Sequence, residues 1–202
     1  MAHIKKRFLC LIAFLFIVQA SCATTKLTAV WEAPNYKGPI KKIAVVGAFQ
    51  SQTIRNILED EFVKRLSDVE LDAVAGYTFI PGDQLSKMEY VMSQVRESGA
   101  DVLLITRLID MITEQTYVRE SVHVIPEYYD DFGPYYRYIY SPGYMVNTDY
   151  AYAETNIYNM NDGKMIWSAH SRTQISGTNE KLIISFVRTI VDRLSESGLT
   201  AY

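Results

Sequence analysis

Two runs of branched apolar residues, KKIAVVGAF at 41–49 and DVLLITRLIDMI at 101–112, do most to limit what this chain can become. The first reads as a typical buried strand and the second as a long apolar, branched run, and buried strands of this kind belong to sheets covered by helices. The segment between them supplies those helices. Over 53–66, Ile54, Ile57, Leu58, Phe62 and Leu66 recur at helical spacing while Arg55, Glu59, Asp60 and Lys64 fall elsewhere, and Glu59, Asp60 and Glu61 read as a charged outer face. A short strand fits 71–75. Ser86 and Glu89 have the spacing of a capping box, Met88, Val91, Met92 and Val95 form a second stripe, and Gly99 closes that helix. Strand, helix, strand, helix, strand implies right-handed crossovers and parallel strands.

The second half changes character. Residues 116–125 read as a further strand, and 150–160 and 164–175 read as a hairpin turned by Asn161-Asp162-Gly163. Over 179–197, Leu182, Ile183, Phe186, Val187, Ile190, Val191 and Leu194 share one helical face, and Gly198 stops it. The expectation is one α/β domain with an α+β tendency over 31–202. Its mixed sheet is built from β-α-β-α-β, an antiparallel hairpin and a C-terminal helix.

The N-terminus reads as an address. Lys5, Lys6 and Arg7 precede eleven apolar residues at 8–18, and the small residues Ala20 and Ser21 follow. These are the parts of a secretory signal peptide, and the run is too short to span a bilayer. Gln19-Ala20-Ser21-Cys22 resembles the lipobox of bacterial lipoproteins, although Gln19 stands where an aliphatic residue is usual. The resemblance implies cleavage after residue 21 and lipid on Cys22. Cys10 would leave with the peptide, and no cysteine follows Cys22, so no disulfide can form in the remaining chain. One acyl chain holds a membrane only marginally, whereas two or three hold it firmly. Ala23, where an aspartate would retain such a protein at the inner membrane, implies outer-membrane delivery with the domain facing the periplasm. Residues 22–30 are expected to form a lipidated tether; 23–30 could extend about 26 Å. Loss of Lys5, Lys6 and Arg7 leaves 17 Lys and Arg against 23 Asp and Glu. That acidity argues against nucleic acid as a partner and leaves membrane attachment to the lipid.

One stretch, about 126–149, is unusual. Nine of the fifteen tyrosines lie between Tyr128 and Tyr152, and Pro-x-Tyr recurs at Pro126, Pro134 and Pro142. Tyrosine offers a rigid face with a polar tip and is enriched where proteins meet partners. Tyr128, Tyr129, Tyr135, Tyr136, Tyr138, Tyr140 and Tyr144 are therefore the candidate partner-binding residues, with an envelope protein, peptidoglycan or another sugar polymer as the partner. Two other readings stay open: the tyrosines pack on the sheet as part of an extended hairpin, or they sit among lipid headgroups.

Little in the chain suggests chemistry. It has no G-x-S-x-G, G-x-x-x-x-G-K-[ST] or G-x-G-x-x-G, and beyond residue 22 only His123 and His170 as histidines. No cofactor or metal is expected. His170, followed by Ser171, lies on the strand paired with the one bearing Glu154, which leaves a cryptic hydrolase as the alternative to an interaction module. A structural subunit that oligomerises through a free sheet edge is a further alternative. Arg107, alone among apolar neighbours, would need a partner if buried; it is expected at a strand end or on the sheet's open face, with a ligand-binding role as the lesser alternative.

Four segments, WEAPNYKG, KKIAVVG, ESGADVLLITRL and ETNIYNMNDGKMIWS, together resemble a group of small bacterial envelope lipoproteins of undefined function. The chain order is also loosely similar to the α/β domains of CsgG-like lipoproteins and to the amino-terminal domain of TolB. The resemblance implies an envelope protein that works by association, and it carries no catalytic residue.

Overall fold

Ile43, Ala44, Val45 and Val46 have no solvent exposure at all, because the strand that holds them has neighbours on both edges and helices on both faces. In the computed structural model, which describes residues 25–34, 36, 40–129 and 133–199 and only the backbone of 124–129 and 133–137, that strand is β2 (Lys42–Ala48). With β1 (Thr25–Glu32), β3 (Asp72–Ala75), β4 (Val102–Val118), β7 (Tyr144–Asn159) and β8 (Met165–Gln174) it forms one six-stranded sheet. The order is β1-β8-β7-β4-β2-β3. β2 pairs in parallel with β3 and β4, while β4–β7, β7–β8 and β8–β1 are antiparallel. β5 (Ser121–Tyr129) and β6 (Gly133–Ser141) make a separate antiparallel pair. The expected single α/β domain with a mixed sheet and an antiparallel hairpin is therefore present.

Period-two alternation divides the sheet between two helical layers. Ile43, Val45, Leu104, Ile157 and Trp167 face α1 (Gln52–Ser67) and α3 (Asn179–Glu196), whose Phe62 and Phe186 meet edge to face at 6.0 Å. Ala44, Val46 and Leu103 face α2 (Met88–Glu97), through Val91 and Val95. α2 lies over β2 and β4 and reaches Tyr158 and Met160 at the end of β7, while further along the same face Arg107 and His170 are exposed. Gly99 and Gly198 follow α2 and α3 at φ of +73° and +70°, a turn that glycine makes without strain. Among the described residues no helix is long and apolar enough to cross a membrane.

Several expectations need correction. Residues 25–30, read as tether, are strand β1, hydrogen-bonded to β8 from Thr25↔Thr173 to Glu32↔Trp167. Only Ala23 and Thr24 separate Cys22 from the sheet. The strand was hard to see because it is an edge with a bulge between Leu27 and Ala29 and a largely exposed surface. The Ser86–Glu89 capping box does not form: the Lys87 amide bonds back to Gln84 C=O, and Lys87, without a side-chain cap, is the N-cap of α2. The strand expected at 116–125 is two strands, broken at Arg119-Glu120. The signal peptide and Cys22 lie outside the described residues.

Candidate functional site

Beyond α2, on the same face of β4, β7 and β8, the register sets Arg107, Glu154 and His170 side by side on adjacent strands. Arg107 Nη2 and Nε each lie 2.6 Å from Glu154 Oε2, and His170 Nε2 lies 3.7 Å from Glu154 Oε1. Burial pushes the Glu154 carboxyl up, but the Asn156 side chain, the hydrogen bond and charge of Arg107 and the charge of His170 outweigh it and hold it below its ordinary value. The open sheet face expected for Arg107 is where it sits, with its side chain largely exposed.

The next step along the strands repeats the theme. Arg172 donates from Nη1 to both oxygens of Glu114, at 3.0 and 3.2 Å, and the Tyr152 hydroxyl donates to Glu114 at 2.9 Å. The Arg172 guanidinium also lies 4.3 Å from the centre of the Tyr150 ring. Sequence reasoning missed this group. Glu114 and Arg172 are far apart in the chain, and only the register of β4, β7 and β8 brings them together.

Beyond these rows β4 and β7 leave the body of the protein. β2 pairs with β4 only as far as Ala48↔Arg107, and β8 with β7 only to Gln174↔Tyr150, so β4 and β7 continue to Val118↔Tyr144 as a two-stranded arm. The pair β5–β6 lies between them in the chain. Ile109, Met111, Ile112, Tyr117 and Met145 are exposed on the arm, as are Val122 and Ile139 on the pair. Tyr138, Tyr140 and Tyr144 are 69%, 62% and 59% exposed. Those three are not packed against the sheet. Tyr128, Tyr129, Tyr135 and Tyr136 belong to β5 and β6 by their backbone, and their side chains lie outside the described residues. A Cβ on Gly143 would collide with the phenol of Tyr117, so this glycine admits the ring against the chain at the end of the arm.

The His170–Glu154 pair exists, but it stands on an open sheet surface. Ser171 points to the opposite face, is buried and donates to Ala153 C=O. It therefore gives His170 no nucleophile. Among the described residues no three His, Cys, Asp or Glu side chains are placed to hold a metal ion. A cleft of about 110 Å³ lies on the helix-covered face at the root of the arm, walled by Phe49, Leu58, Leu108, Ala153, Leu182 and Phe186. Its lining is almost wholly apolar and has no acid or base.

A second constellation was misread from sequence. Arg55, set off the apolar stripe, and Glu59, placed on a charged outer face, are both fully buried in the sheet-facing stripe of α1. The signal was available: 55, 58, 59, 62 and 66 follow helical spacing as well as the apolar set does.

No family model matches the chain, and no curated protein does. The chain is similar in shape to solved structures at low identity. The PelC dodecamer from Paraburkholderia phytofirmans is 11% identical over 88% of this chain and 99% of that one, with a TM-score of 0.49. The lipoprotein GNA1162 from Neisseria meningitidis is 14% identical over 77% of this chain and 99% of that one, with a TM-score of 0.41. A PDZ domain protein from Parabacteroides distasonis is 10% identical over 88% of this chain and 37% of that one, with a TM-score of 0.39. None of these likenesses assigns the chain a family or a function.

Proposed function

We propose that this protein is a lipid-anchored, non-enzymatic interaction module of the bacterial envelope, which holds a protein or wall-polymer partner with its β-arm. The observation that carries the reading is the exposed set Tyr117, Val122, Tyr138, Ile139, Tyr140, Tyr144 and Met145, which lies on the outer ends of β4 and β7 and on the β5–β6 pair and belongs to neither apolar core. Two-stranded ribbons are marginal in water by themselves, and contiguous exposed apolar surface marks interaction sites. Anchoring follows from the signal peptide and the lipid expected on Cys22, with the outer membrane as the address and the periplasm as the side faced. A Cys22→Ser chain is then expected to leave the membrane fraction.

The partner reading is tested by replacing residues 119–143 with Asn-Gly, which joins Val118 to Tyr144 through a two-residue hairpin turn. Co-sedimentation with purified peptidoglycan, and photo-crosslinking in native membranes from position 145, which the shortened arm keeps, should both fall to background with the arm shortened. Retention of both would remove the arm from the account.

A second reading, self-association, is supported by one observation. From Ile109 to Val118 the edge of β4 that β2 paired further back has no partner strand among the described residues, and such an edge can pair with another copy. Sedimentation of the shortened-arm protein beside the intact one separates the two readings.

A further inference from the structure

We infer that the apolar cleft at the root of the arm seats part of an acyl chain carried on the protein's own Cys22. This rests on the lipidation reading above. Three observations point to that occupant. The first is chemical: Phe49, Leu58, Leu108, Ala153, Leu182 and Phe186 present hydrocarbon and no charge, so a fatty chain gains from entering and a polar ligand loses its hydration.

The second is where the chain joins the sheet. Thr25, the first residue of β1, pairs with Thr173, and their hydroxyls meet at 2.9 Å on the helix-covered side. Thr173 is itself part of the cleft wall. Cys22 is three residues before Thr25, so its Cα lies within about 10 Å of Thr25 whatever path those residues take. β1 runs antiparallel to β8 and away from this point. Any lipid on Cys22 is thus held beside the cleft by covalent connection.

The third is size and surroundings. An apolar cavity of about 150 Å³ accepts one benzene; a cleft of about 110 Å³ accepts a stretch of a few methylenes and not a whole acyl chain. The remainder needs an apolar path outward. Leu108 is 41% exposed in the cleft wall, and Met111 is 64% exposed in the same cross-strand row as Ala151 and Thr173. They form an apolar lip on the helix-covered face. One chain of the anchor would run over that lip while the others remain in the bilayer, which fixes the cleft end of the domain against the membrane.

The test uses the full-length lipidated protein in vesicles of phosphatidylethanolamine and phosphatidylglycerol, with Leu108 replaced by p-benzoylphenylalanine. Irradiation should join position 108 to the acyl group on the Cys22 peptide, read as one crosslinked product by mass spectrometry. Ala151→Phe, which narrows the cleft at its outer end, should cut that yield several-fold. If that variant misfolds, Leu182→Phe serves the same purpose from α3. Adducts to vesicle phospholipid alone would show the cleft open to bulk lipid and overturn the assignment. An acylated Cys22 with no lipid adduct at position 108 overturns it too, while leaving the lipoprotein reading intact. A Cys22 with no acyl mass overturns both.

Discussion

Arg55 Nε and Glu59 Oε1 lie 2.7 Å apart on successive turns of α1, and neither side chain reaches solvent. Glu59 has further obligations: Oε1 accepts from the Gly47 amide at 2.8 Å and Oε2 from the Tyr77 amide at 2.6 Å. One carboxylate thus ties α1 to the end of β2 and to the turn after β3. Burial pushes the Glu59 carboxyl above its ordinary value, against the pull of the Gly47 amide, Arg55 and the Tyr77 amide. Arg55 is less well served, since its Nη1 and Nη2 are buried without a hydrogen-bond partner. The two ends of the pair should therefore differ when cut. Glu59→Leu strands a buried cation and two amides, and should cost about 3–5 kcal/mol. Arg55→Met leaves Glu59 its two amides and a carboxyl that protonates more readily, so it should cost clearly less. Denaturant unfolding of both variants checks the order, and equal losses would contradict it.

Gly76 opens the turn that Glu59 holds. A Cβ there would stand 2.7 Å from Val46 Cγ2 and 2.8 Å from Val45 C=O. The carbonyl belongs to β2, which is paired on both edges, and cannot move aside as a flexible side chain could. Gly76→Ala should destabilise by about 1–3 kcal/mol, the usual range for forcing extra volume into a packed core. A denaturation midpoint like that of the parent would show that the turn yields instead.

These two positions also mark how far sequence could be read. The parallel strands, the three helices and the Asp162-Gly163 turn were legible because a buried strand, an amphipathic stripe and a tight turn each leave a local pattern. Buried charge does not. Arg55 and Glu59 look like surface residues until the stripe is seen to include them, and the Glu114–Arg172–Tyr150 group depends on strand register. Strand β1 was lost because an edge strand with a bulge carries little periodicity. The tyrosine segment was recognised as unusual, but nothing local said that Tyr138, Tyr140 and Tyr144 would remain exposed while Tyr150 and Tyr152 are half-buried against the sheet.

Glu154 should give the open sheet face a dependence on pH. Its carboxyl is held below the ordinary value in the folded protein, with Asn156, Arg107 and His170 facing it. A group lowered in this way contributes stability that is complete above its unfolded value of about 4.3 and disappears as pH falls through the folded value. Glu154→Gln removes the titration. The difference in unfolding midpoint between parent and variant should be larger at pH 6 than near pH 3; a constant difference would mean that Arg107 and His170 do not stabilise the carboxylate.

The arm itself should be nearly dispensable for folding. Its residues beyond Arg107 on β4 and before Tyr150 on β7 belong to neither apolar core, and β5–β6 pair only with each other. Cores supply most of the favourable free energy of folding, whereas an isolated ribbon is close to neutral. Replacing residues 119–143 with Asn-Gly should leave the thermal midpoint within a few degrees of the parent, equivalent to less than about 1 kcal/mol for a domain of this size. Phe186→Ala provides the contrast. It removes the edge-to-face contact with Phe62 and enlarges the cleft, and should cost about 3 kcal/mol, near the lower end for such truncations because one side of the ring already faces open space. Should the shortened-arm protein melt as early as Phe186→Ala, the arm would have to be counted as part of the fold and not as a surface carried by it.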